Sequence, residues 1–196
     1  GFIVARAVVP HGAPELVLAI RLGATTCLLA GASAFAGQSW PRGRRLGLHL
    51  AAGAMLHGLY LTVSWWSVSR GMPAGIMSLL GATQPLMVAV ASVALLGDRL
   101  PGRSWLGLFI AITGVVCVLM PAIESSGTTA VPVIPVLAGI FAIIAMTGGT
   151  LIQRGQIASD PILMSGAAQN LGGTIVAVSA TLIVGEWRWD NDPILW

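Results

Sequence analysis

Between Gly71 and Pro121, two apolar runs are joined by one short charged turn, Gly97-Asp98-Arg99-Leu100-Pro101-Gly102-Arg103. A spanning helix needs about 20 mostly apolar residues, and each run comes close to that length. The first run carries Gln84 and Pro85 near its middle. The stretch therefore predicts a membrane hairpin with a polar, helix-breaking step at the depth where hydrocarbon can least solvate it.

Composition extends this to the whole chain. Of 196 residues, 56% are hydrophobic and 9% charged, with a mean hydropathy of +0.86. Soluble domains carry about 25% charged residues, and so short a chain cannot bury this much apolar surface in a core of its own. The net charge of +3 comes from ten basic residues, all Arg, against seven acids. The Arg are scattered in short turns, which points to membrane orientation and away from nucleic acid. Cys27 and Cys117 both lie in apolar runs, a packing role that excludes a disulfide framework or a zinc site.

The pattern predicts an all-α, polytopic helix bundle. Residues 1–9 read as the end of a first helix, without the basic leader or cleavage site of a signal peptide. Full spans follow at about 14–37, 46–69, 73–96, 104–120, 132–152 and 161–184. Pro14 suits a helix start, where its missing N–H costs nothing. The polar run 124–129 closes the fifth helix, and the Trp-rich tail from Gly185 leads toward an eighth. With the turn after the second helix inside, six Arg (42, 44, 45, 99, 103, 154) lie in inner loops and two (70, 188) outside. That bias places the N-terminus in the cytoplasm.

A short repeat is visible. Gly1 to Arg6, Pro14 and Arg21-Leu22-Gly23 parallel Gly149 to Arg154, Pro161 and Asn170-Leu171-Gly172. Five helices separate the copies, so the second would be inserted upside down, which is a transporter architecture.

Polar side chains deep in lipid are functional candidates by default. His57, Gln84 and Asn170 are each about ten residues from a helix end, near the midplane. Tyr60 shares a face with His57, and Gln169 adjoins Asn170. These residues are expected to line a central cavity. Gln84, which donates and accepts, suits a polar or zwitterionic solute. Arg21 is expected to snorkel outward and offer a carboxylate clamp. His49, near the inner surface, is expected to be solvated there. The glycines within the spans, including the pairs 148–149 and 172–173, are read first as close-packing positions. No Asp or Glu lies inside a span, and no metal cluster, catalytic dyad or phosphate loop appears, so catalytic and metal-binding residues are expected to be none.

Four motifs in order resemble the EamA family of the drug/metabolite transporter superfamily. Ala19-Ile20-Arg21-Leu22 is similar to its Arg-aromatic pair, with Leu22 in place of the aromatic. The others are the turn from Trp66 to Gly75, the helix centre Gly81-Ala82-Thr83-Gln84-Pro85, and Leu95-Leu96-Gly97-Asp98-Arg99-Leu100, where Asp98 replaces the usual Glu. The resemblance implies ten helices in two inverted five-helix repeats. Here residues 1–121 would form the first repeat and 132–196 the start of the second, with the eighth to tenth helices absent. It implies a multi-pass protein of a bacterial inner membrane that exports or exchanges small metabolites, amino-acid-like solutes among them. No cofactor is implied. The partners expected are the solute, the lipid bilayer and a second copy in a homodimer, with no nucleic acid; a proton is expected as coupling ion because His57 is the central group suited to it near neutral pH. A non-transporting scaffold, or an intramembrane enzyme on a lipid-linked substrate, is the alternative.

Overall fold

The computed structural model describes residues 7–8, 10–99, 101–124 and 133–190. The first copy of the repeat motif at Gly1 to Arg6, most of the polar run at 124–129 and the end of the tail lie outside these residues. The described chain is an all-helical bundle. In order come α1 (Pro14–Phe35), α2 (Arg44–Ser69), α3 (Ala74–Leu96), α4 (Gly102–Glu124), α5 (Val133–Ile157) and α6 (Ile162–Val184). Helices α1, α2, α3, α5 and α6 are each long and apolar enough to cross a membrane by length and composition. Each falls within a few residues of its predicted span.

Local chemistry sets the ends and the breaks. Pro14 opens α1 after an extended Ala13. Gly97 closes α3 in the left-handed region (φ 71°), returning its N–H to the carbonyl of Ser92; an L side chain there would be strained. Pro85 divides α3 into Ala74–Ala82 and Gln84–Leu96. It has no N–H to give to the preceding turn. Beside the carbonyl of Gly81 that this leaves without its donor, Thr83 donates both its N–H (3.0 Å) and its Oγ1 (2.7 Å) to the carbonyl of Leu80. Two helices also contain π turns, Ala54–Leu59 in α2 and Gln153–Ile157 in α5.

In lipid, helices associate through close packing and not through hydrophobic exclusion. Accordingly, α2 passes between α5 and α6 over glycines. A Cβ on Gly53 would fall 1.8 Å from the carbonyl oxygen of Gln169, and one on Gly172 would fall 2.2 Å from that of Leu50. Gly173 meets His57 and Gly58, while Gly148 and Gly149 receive Met55 and Leu56. The two glycine pairs are thus packing surfaces for the π turn of α2. Next to this crossing, α1 runs antiparallel to α6: Leu18 packs in one apolar cluster with Ala177, Gly23 faces Thr174, and Leu29 faces Gly166. Outward residues such as Phe35 (96% exposed) and Ile183 (84%) form the apolar surface that lipid would cover.

Gly53→Ala is expected to lower stability by about 1–3 kcal/mol through overpacking. Gly31→Ala, which meets open space, is expected to be neutral or stabilising by up to about 1 kcal/mol. Unfolding of the detergent-solubilised protein checks both; equal shifts would contradict the packing account.

Candidate functional site

The break in α3 leaves Gln84 at the head of a new helical segment, in the middle of a 23-residue span. Its Nε2 donates to Thr150 Oγ1 on α5 at 3.2 Å. The Thr150 hydroxyl in turn gives its proton to the carbonyl of Met146 at 2.9 Å. A side-chain bond therefore joins α3 to α5 at mid-span, beside the least regular backbone of the hairpin. Next to it lies a cleft of about 580 Å³ between α3, α4 and α5. Thr83, Leu86 and Met87 line it from α3, Ile112 from α4, and Thr147 and Leu151 from α5. The cleft is almost wholly apolar: its two hydroxyl residues, Thr83 and Thr147, bond the carbonyls of Leu80 and Ile143 in their own helices, and Gln84 and Thr150 stand next to its lining residues in sequence.

The other predicted residues divide into two groups. His57 sits on the π turn of α2, half-buried, with Gly173 against its Cβ. Arg21 is exposed, holds its guanidinium 5.9 Å from the centroid of the Trp65 ring, and is close enough for its charge to act on His57. Arg21, Trp65 and His57 thus form one neighbourhood between α1 and α2. Tyr60, one turn beyond His57, is half-buried against a cluster that includes Val68, Met72, Met77 and Ile143.

Asn170 and Gln169 have more local roles. Asn170 Nδ2 donates to the carbonyl of Gly166 within its own helix at 2.8 Å. Gln169 is buried, with its backbone pressed against Gly53. The partner described for Gln84 is Thr150, which sequence reasoning did not single out. Its signal was weak: a threonine on an apolar helix bonds its own backbone by default.

His49 differs from its expected solvation. It is fully buried, and its Nε2 lies 2.9 Å from Asp160 Oδ2. Asp160, on the turn before α6, has a side chain 6% exposed and also pairs with Arg45. A carboxylate that reaches back from the α5–α6 turn replaces water over the imidazole. Nearby, Arg44 donates to Gln156 at 2.9 Å, and Arg154 lies 3.0 Å from Asp98. At the opposite end of the bundle, His11 pairs with Asp190 at 3.0 Å and Arg70 lies 3.9 Å from Glu186. The described ion pairs thus collect at the two ends, and the middle keeps neutral polar groups and His57. Among the described residues no cluster of three His, Cys, Asp or Glu could hold a metal ion.

The comparisons agree with this architecture. Residues 1–120 match the EamA-like transporter family, and the chain belongs to that family. It is a multi-pass membrane protein of a transporter family. No curated protein and no solved structure matches the chain significantly.

Asp160→Asn is expected to cost about 2–3 kcal/mol, because it leaves Arg45 and buried His49 facing a neutral amide. Arg154→Gln breaks an exposed pair and should cost less than about 1 kcal/mol. Unfolding in detergent compares the two, and equal costs would refute the buried role of Asp160.

Proposed function

We propose that the protein is a secondary transporter of a small polar or amphipathic metabolite, working by alternating access with its substrate held near mid-membrane. The observation that carries this is the Gln84–Thr150 bond at the Pro85 break, beside the 580 Å³ cleft. A polar pair at that depth is costly unless it is satisfied or used. In this reading a solute exchanges with the pair, taking the amide bond that Thr150 now accepts, and the neighbouring apolar cleft takes an apolar portion. Ligand pockets commonly combine mostly apolar walls with a few placed polar groups in this way, at about 300–1,000 Å³.

Two inverted repeats, 1–121 and 132–196, are supported by the antiparallel pairing of α1 with α6, the helices that carry Arg21-Leu22-Gly23 and Asn170-Leu171-Gly172. Helices exchanged by an inversion must run in opposite directions. The excess of Arg at the end holding Arg44, Arg45 and Arg154 supports placing that end in the cytoplasm of a bacterial inner membrane. Export, a homodimer and a proton as coupling ion belong to the same proposal. His57 is the mid-span group suited to respond to protons near neutral pH.

Gln84→Ala, in a full-length protein reconstituted in vesicles, is expected to raise the half-saturating solute concentration on the order of tenfold. Unchanged affinity would remove Gln84 from the substrate's contacts. His57→Ala is expected to flatten the dependence of transport on external pH, and a retained dependence would reject proton coupling through this residue.

A further inference from the structure

The end of the bundle that holds Arg44 and Arg45 is closed by bonds of one pattern. Each joins the α1–α2 connection, or the first turns of α2, to the α5–α6 turn or the residues beside it. Gln38 Oε1 accepts the N–H of Met164 at 3.1 Å, and Arg44 donates to Gln156 at 2.9 Å. Arg45 pairs with Asp160, whose second oxygen lies 2.9 Å from His49 Nε2. Asp160 is thus the shared partner of this contact, a carboxylate that reaches from a turn into the side of α2.

Behind this clasp, buried polar atoms stand unbonded. His49 is fully buried, yet its Nδ1 has no partner among the described residues, and the same holds for the buried Ser33 Oγ and Ser165 Oγ. The helix contacts place all three at one level. Gly53 abuts Gln169, and one turn before each stand His49 and Ser165. Gly166, next to Ser165, faces Leu29 of α1, and Ser33 lies one turn further along α1 toward the same end. A buried polar group without a partner costs stability, and native structures leave few of them. Three behind one clasp are a load on the closed arrangement that water would remove.

We propose that this contact is a gate. Asp160 latches the first turns of α2 to the α5–α6 turn, and their parting opens this end of the bundle to water. Opening exchanges the side-chain bonds of the clasp for bonds to water. It also admits water to His49, Ser33 and Ser165, so the closed and open arrangements each satisfy groups that the other does not. The joints suit the movement. The π turn Gln153–Ile157 links the α5–α6 turn to the regular part of α5, and such turns recur at functional sites. On the other side, Gly37 and Gly43 adopt positive φ (66° and 54°) in the connection that leads into α2. The role of the gate rests on the transport reading, because alternating access requires each end to close and open in turn.

Pulsed electron paramagnetic resonance on the full-length protein in nanodiscs tests this. Nitroxides are attached at Gly47→Cys and Gly155→Cys, both exposed and with open space at the Cβ, after Cys27→Ala and Cys117→Ala. The labels are expected to report a short separation and a longer one. Asp160→Asn should raise the ratio of long to short about threefold or more. If that variant fails to fold, Arg45→Gln takes its place, since the Arg45 side chain is 59% exposed. Arg70→Gln, at the opposite end, should leave the ratio unchanged. A single short separation in the native protein and the variant, as a fixed staple bridged by ordered water would give, overturns the gate. So does a longer population that the substitution leaves unmoved, or one that Arg70→Gln raises as much. Vesicle transport measured in parallel separates the two claims. Transport without a longer population leaves the transport reading standing and removes the gate. A longer population that grows as expected, in a protein that moves no solute, keeps a hinged end and removes the transport reading.

Discussion

The close passage of α2 between α5 and α6 is the contact on which the rest of the bundle depends. Four glycines let α2 and α6 approach closely: carbonyls stand where side chains of Gly53 and Gly172 would be, and Gly58 and Gly173 receive Val176 and His57. Gly148 and Gly149 do the same for α5 against Met55 and Leu56. Dispersion and close approach hold helices together where lipid tails are as apolar as leucine. The π turn at Ala54–Leu59 lies within this crossing, so His57 is positioned by its own helix and by Gly173 on the next. π turns recur at functional sites because they change the direction of the side chains that follow.

From that crossing the polar groups sort by depth. Ion pairs collect at the ends, where water can share the cost of desolvation. The middle retains groups that satisfy themselves as neutral dipoles: Thr83 on Leu80, Gln84 on Thr150, Asn170 on Gly166. The Pro85 break belongs to this set. It frees the carbonyl of Gly81 at a depth where only protein or a wet cavity can answer it, and Thr83 bonds the carbonyl beside it, that of Leu80. A helix interrupted in this way bends under a smaller load than an intact one.

The two ends differ in construction. One is closed by a buried carboxylate, Asp160, that joins Arg45 and His49 of α2 to the turn before α6. The other is closed by backbone pairing between residues 11–13 and 188–190, with charges of both signs around an open cavity. The first binds its helices through Asp160, with His49 Nδ1 left without a partner among the described residues. The second sets Glu15, Arg70, Glu186 and Arg188 around a cavity, with Arg70 paired to Glu186.

Most of the fold was legible in the linear pattern, because each span in lipid must satisfy its backbone within one helix and expose an apolar surface. Run lengths, proline positions and the charged turn at Gly97 to Arg103 thus determined the helices, their order and the break at Pro85. The same chemistry marked Gln84 and His57 as exceptional, since few polar groups lie so deep. Partners were not legible. Nothing near Gln84 in the chain points to Thr150, nothing near His49 points to Asp160, and nothing near His11 points to Asp190. Those pairings lie 66, 111 and 179 positions apart. Only the tertiary structure decided them, because which faces of the helices meet depends on where glycines allow backbones to touch. That is a property of two surfaces together and not of either sequence alone.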